Sequence, residues 1–207
     1  MKALILVDVQ NDFLSGGALA VPEGDAVIPV ANKVQGVFPL IVATQDWHPA
    51  NHGSFAANHP GKRPFDQTEL NGLPQTLWPV HCVQNTPGAA FAAGLKQDCF
   101  AKIFQKGTDP GIDSYSGFFD NGQRKSTGLG EWLREKGVTE VFVCGLATDY
   151  CVKFTALDAV RFGFKANLIV DACRGVNLSP NDTKHAITEL RRAGIGICQS
   201  AELLREP

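Results

Sequence analysis

Short apolar runs of strand length recur along the chain: Ala3 to Val7, Leu40 to Thr44, Cys99 to Phe104, Val138 to Cys144, Ala166 to Val170 and Ile195 to Cys198. Runs of this length, rich in aliphatic and β-branched residues, read as strands buried on both faces. Between several of them apolar positions recur at helical spacing, over Ala26 to Val37, Leu129 to Lys136, Tyr150 to Phe162 and Pro180 to Ala193. The alternation predicts an α/β fold, doubly wound, with a mainly parallel sheet of about six strands and helices on both faces. The last helix carries its own punctuation: Ser179 as N-cap, Pro180 at the first helical position and Gly194 just past the end.

One segment breaks the pattern. From Asp46 to Gln97 the chain is rich in Pro, Gly, Asn and His, and it is far longer than an ordinary connection. Its Trp, His and Phe content argues for an ordered, functional loop segment over about residues 46–97 within a single domain, 1–207. Ligands of open parallel sheets bind beyond the carboxyl ends of the strands. Asp8, Asp46, Lys106 and Cys151 each fall at or just after such an end, so one crevice can gather all four.

Composition narrows the partners. With 207 residues, 44% of them hydrophobic, the chain has material for a substantial core. Its 19 basic and 21 acidic residues nearly cancel, which leaves no electrostatic footprint for nucleic acid or an anionic membrane and points to a small molecule. The apolar start, Met1 to Val7, is too short for a signal peptide, and no run reaches transmembrane length. Six irregularly spaced cysteines, mostly in apolar runs, fit reduced thiols and a cytoplasmic location. The oligomeric state is left open, a homo-oligomer included.

Cys151 is the candidate nucleophile. If Thr148 caps the helix that follows the run Val141 to Cys144, Cys151 lies in its first turn, where unpaired N–H groups favour a thiolate. A free thiol has a pKa of ~8.5, and each unit of depression is worth about 1.4 kcal/mol. Asp8, hard against an apolar strand, reads either as a turn or cap aspartate or as the base that takes the thiol proton. Lys106 reads either as a solvated strand end or as a cation that stabilises the thiolate. Cys99, Cys144, Cys173 and Cys198 read as inert core thiols.

A second constellation is Asp46-Trp47-His48 with His81 farther on. An Asp-x-His pair on an extended segment sends both side chains to one side, and a remote His completes three N/O ligands for Zn²⁺, Fe²⁺ or Mn²⁺. Cys82 adjoins His81 but points to the opposite face of an extended chain, so His81 is favoured. Pro49 and Gly53 argue against a helical pairing of His48 with His52, while His59 reads as a loop residue and His185 as exposed. Phe13, Trp78 and Tyr115 flank these polar groups and could wall a flat aromatic substrate.

Taken together, Asp8-Val9-Gln10-Asn11-Asp12-Phe13, Gln45-Asp46-Trp47-His48-Pro49, Trp78-Pro79-Val80-His81-Cys82, Phe104-Gln105-Lys106-Gly107, Tyr115-Ser116-Gly117-Phe118 and Gly145 to Cys151 give the chain a likeness. It resembles the bacterial nicotinamidase/pyrazinamidase enzymes of the isochorismatase-like cysteine hydrolases over nearly its whole length. The resemblance implies a catalytic triad of Asp8, Lys106 and Cys151, and a divalent metal, zinc first and iron or manganese next, on Asp46, His48 and His81. It also implies a cis Leu146–Ala147 peptide and an oxyanion hole from the N–H groups of Ala147 and Cys151. Some members place a fourth ligand, His or Glu, where this chain has Ser54, a weak or water-bridged donor. The activity implied is hydrolysis of nicotinamide, and of pyrazinamide, to the acid and ammonia through a thioester, in NAD salvage. Two alternatives stay open at this point: hydrolysis of an N-carbamoyl or ureido compound, and a catalytically silent metal-binding module.

Overall fold

The structure is a computed structural model that describes residues 1–205. Its strands are β1 (Lys2–Val7), β2 (Ile41–Asp46), β3 (Gln67–Leu70), β4 (Leu73–Thr76), β5 (Lys102–Lys106), β6 (Glu140–Leu146), β7 (Lys165–Arg174) and β8 (Gly196–Cys198). The helices are α1 (Val27–Val34), α2 (Leu129–Glu135), α3 (Lys153–Arg161), α4 (Asp182–Arg192) and α5 (Ser200–Leu203). Six strands form one sheet in the order β5-β2-β1-β6-β7-β8, with every neighbouring pair parallel. Helices α1 and α5 pack together and α3 and α4 pack together, as two separate pairs against the sheet. This is the doubly wound arrangement that the alternating pattern predicts.

The apolar runs become central strands because only a two-sided burial satisfies them. Ala3 to Val7 in β1 are essentially inaccessible, and every residue of β2 is buried, down to the polar Gln45 and Asp46 at its end. The strand order reverses at β1: the chain leaves toward β2 and β5, then returns on the other side as β6. A crevice opens at such a switch point, beyond the carboxyl ends. Asp8 follows β1 and Cys151 follows β6, so the reversal places them on its two sides. Gly145 keeps the two strands close there: at φ 121 it has no Cβ, and one would lie 2.1 Å from the Val7 carbonyl oxygen.

The structure corrects several boundaries. Helix α4 starts at Asp182, not Pro180; Asn181 at φ 74 occupies the N-cap, and Asp182 reaches back to accept from the Ser179 N–H at 2.8 Å. Gly194, at φ 82, does follow the helix end. Strand β5 starts three residues later than the run beginning at Cys99 suggests, because a turn closes from Phe100 N–H to the Gln97 carbonyl. Cys99 is therefore exposed, not in the core. All six cysteines are free. The long segment after β2 is not wholly irregular: β3 and β4 form an antiparallel hairpin across Asn71-Gly72, both at positive φ. Asn-Gly is the strongest short hairpin signal a sequence carries. Among the described residues no helix is long and apolar enough to cross a membrane.

Candidate active site

Asp8 is the first residue past β1, held at φ 48 and fully buried. Its Oδ1 accepts the Thr44 hydroxyl at 2.6 Å, and its Oδ2 lies 2.9 Å from Lys106 Nζ. Lys106 ends β5 and pairs in register with Asp46 at the end of β2. Its ammonium donates to Asp46 Oδ1 at 2.5 Å, to the Ser114 carbonyl at 2.9 Å and to Cys151 Sγ at 3.4 Å. Cys151 sits in a π-helical turn, Thr148–Val152, between a cis Leu146–Ala147 peptide and α3. One buried cation thus touches two carboxylates and a thiol.

Burial raises the Asp8 pKa to about 6 against the pull of Lys106. Burial would lower the Lys106 pKa, but Asp46 and Asp8 outweigh it and hold the amine well above its ordinary value. The Cys151 thiol is pushed well above its ordinary range by burial, with Asp8 and Asp46 adding to the effect and Lys106 opposing it. The shift runs opposite to the thiolate expected from a helix N-terminus. Thr148 does not cap either; Ala147 takes the N-cap position, without a side-chain bond. A thiol in this setting needs a proton acceptor before it can react, and the Asp8 carboxylate lies within 4.8 Å of its sulfur.

Asp46, His48 and His81 converge beside this group. Their donor atoms lie within 4.8 Å of one another, with Asp46 Oδ2 at 3.7 Å from His48 Nε2 and 3.9 Å from His81 Nε2. Each ring is fixed from behind: Nδ1 of His48 meets the Gly107 carbonyl at 2.8 Å, and Nδ1 of His81 meets that of Pro79 at 2.8 Å. A proton on each Nδ1 leaves the Nε2 lone pairs facing the carboxylate, the usual tautomer of metal-ligating histidines. Gly107 is also a cradle, since a Cβ there would lie 2.3 Å from His48 Cε1. The donor set and its supports fit a divalent ion.

A cleft opens onto both groups. Phe13, Trp78 and Tyr115 line it, together with Leu19, Tyr150 and Val176. Trp78 Nε1–H donates to Tyr115 Oη at 3.2 Å, and the Tyr150 ring meets Trp78 edge-on at 4.9 Å. Cys151 and Ala147 lie in the same cleft as Asp46, His48 and His81.

Comparison with known proteins decides the family. The Isochorismatase domain model matches residues 2–202. The chain belongs to the isochorismatase family. Within it, this chain is 55% identical over 197 residues to the nicotinamidase of Escherichia coli K12, covering 93% of this chain and 92% of that protein. The structure of an Acinetobacter baumanii nicotinamidase pyrazinamidase superposes with a TM-score of 0.95 at 47% identity, covering 98% of this chain and 97% of the other. The Pyrococcus horikoshii pyrazinamidase in complex with zinc gives 0.78 at 44% identity, covering 96% and 98%.

Ser54, the expected weak fourth donor, is turned away from the metal-ligand candidates. Its hydroxyl is spent on His52 Nδ1, at 2.7 Å, rather than turned to Asp46, His48 and His81. Three residues that sequence reasoning passed over shape this site. Gln10 is fully buried and brackets the Asp46 backbone, donating to its carbonyl and accepting its N–H, both at 2.8 Å. Asp149 accepts the Val176 and Asn177 N–H groups at 2.9 and 2.7 Å, tying the turn that carries Cys151 to the loop that carries Val176. Asp113 lines the cleft. Gln10 and Asp149 lay inside the quoted motifs, so an unexplained polar residue beside a buried strand was the available signal; Asp113 offered none.

Proposed function

We propose that this chain is a nicotinamidase, converting nicotinamide to nicotinate and ammonia through a Cys151 thioester, with pyrazinamide as a second substrate. The observation that carries the reading is the Lys106 ammonium shared between Asp8, Asp46 and Cys151, which joins a thiol triad to a metal-ligand set in one aromatic cleft. The names of the Escherichia coli and Acinetobacter relatives agree with it.

Asp8 takes the Cys151 proton as sulfur attacks the carboxamide carbon, and the negative charge passes to the carboxamide oxygen. The N–H groups of Ala147 and Cys151 receive the tetrahedral oxyanion. Protonated Asp8 then gives its proton to the amide nitrogen as the C–N bond breaks, and ammonia leaves. In the second half Asp8 deprotonates a water that attacks the thioester, the C–S bond breaks, and the proton returns to Cys151. Phe13, Trp78 and Tyr115 hold the ring flat and exclude bulk water. A divalent ion, zinc by analogy with the Pyrococcus structure, would be held by Asp46, His48 and His81 and supply a Lewis-acidic anchor for the ring nitrogen. The test is ammonia release from nicotinamide by the wild type and by Cys151→Ala. Turnover is expected in the first and not in the second; undiminished turnover in the variant overturns the covalent mechanism.

A further inference from the structure

Asp113 is 3% exposed, lines the cleft, and has no part in the steps above. Two donors fix it: the Ser114 N–H on Oδ1 at 2.8 Å and Gln75 Nε2 on Oδ2 at 2.9 Å. Gln75 is itself buried on β4, and its other N–H reaches the Thr76 carbonyl at 2.7 Å, so the amide cannot flip without losing both bonds. The β3–β4 hairpin thus holds a carboxylate in place beside the metal-ligand set.

His52 faces the same point. It is fully buried and its Nδ1 is committed to Ser54. The donor atoms of His48, His52 and Asp113 lie within 4.8 Å of one another, a second cluster that shares His48 with the first. The His52 ring stands 4.3 Å from that of His48. The negative charge of Asp113 acts on His48, His52 and His81 alike. Asp8 and Asp46 paired with the Lys106 ammonium sum to −1, and the buried Asp113 on the His48 side brings the total to −2, which a divalent ion cancels. Without Asp113 the loaded site would carry an excess positive charge.

We propose that Asp113, braced by Gln75, is the charge-balancing carboxylate of the metal centre and with His52 forms its outer flank, setting affinity for a divalent ion without ligating it. This rests on the metal reading given above. Buried outer partners of this kind change metal affinity by about 10- to 100-fold when removed.

The test is a titration of metal-stripped protein with Zn²⁺ against a chromophoric chelator, followed by Co²⁺ absorption spectra. Asp113→Asn is expected to bind one Zn²⁺ about 10- to 100-fold more weakly, with the Co²⁺ bands unchanged in shape. Asp113→Glu, which keeps the charge, is expected to recover part of the loss. Gln75→Leu keeps the carboxylate but frees it, and is expected to weaken binding by a smaller factor; it also stands as the test if Asp113→Asn does not fold. Binding within about twofold of wild type in Asp113→Asn, or in Gln75→Leu where that variant stands alone, overturns the inference. A changed Co²⁺ spectrum in Asp113→Asn overturns the outer role and makes Asp113 a ligand. A wild-type chain that binds no Zn²⁺ overturns the metal reading itself, and this inference with it.

Discussion

Replacing Lys106 by Met keeps an unbranched side chain of similar length and removes the one cation among Asp8, Asp46 and Cys151. With an effective dielectric of 20, the Lys106 attraction to Asp8 at 2.9 Å is about 6 kcal/mol, and to a Cys151 thiolate at 3.4 Å about 5 kcal/mol. The two nearly cancel when the proton moves from sulfur to Asp8. Lys106 therefore does little to drive that transfer; it keeps the single negative charge of the pair stable inside the protein. Without it Asp8 becomes more basic than its value of about 6. Even half of the Coulomb figure, about 3 kcal/mol, lifts it by about 2 units, so most Asp8 is protonated at neutral pH and cannot act as a base. The expected outcome is an acid limb of the rate profile displaced from pH 6 to about 8 or beyond, with at least a tenfold loss at pH 7. Ammonia release measured from pH 5 to about 10 reads this directly, and the pH dependence of iodoacetamide alkylation reads the thiol independently of turnover. A Lys106→Met profile whose acid limb stays at about pH 6 would refute the reasoning.

Other outcomes follow from single contacts. Gly107→Ala forces a methyl to 2.3 Å from His48 Cε1 at φ 62, so His48 must shift and Zn²⁺ affinity should fall at least about tenfold by chelator competition. Exhaustive chelation should abolish ammonia release, and re-addition of a divalent ion should restore it; full activity after metal analysis reads zero would end the metal reading. Asp149→Ala removes two charge-assisted bonds to the 176–177 backbone, a loss of about 3 kcal/mol that should lower the melting temperature by about 6–12 °C. Because Val176 lines the cleft, KM for nicotinamide should rise in the same variant.

The sequence by itself determined the scaffold. Aliphatic runs that only two-sided burial can satisfy, separated by helical periods, dictate a parallel sheet, and that sheet puts strand ends at one edge. Asp8, Asp46 and Lys106 could be placed there because each follows its own apolar run, a purely local signal. The Asn71-Gly72 hairpin was equally local, yet it hid inside a segment whose Pro and Gly content suggested a loop. What tertiary structure alone decided was charge and company. Cys151 reads as an activated thiol from its helix position, but burial, with two carboxylates from separate strands adding to it, pushes its pKa up rather than down. Ser54 reads from the sequence as a weak fourth ligand, but its hydroxyl is taken by a histidine two residues away. Gln10 reaches across 36 residues to fix Asp46, and Gln75 across 38 to fix Asp113. Periodicity reports which face of an element is buried. Which ionisable groups share that burial is set by strand order and loop return, and in a medium of low dielectric that sharing fixes the protonation state.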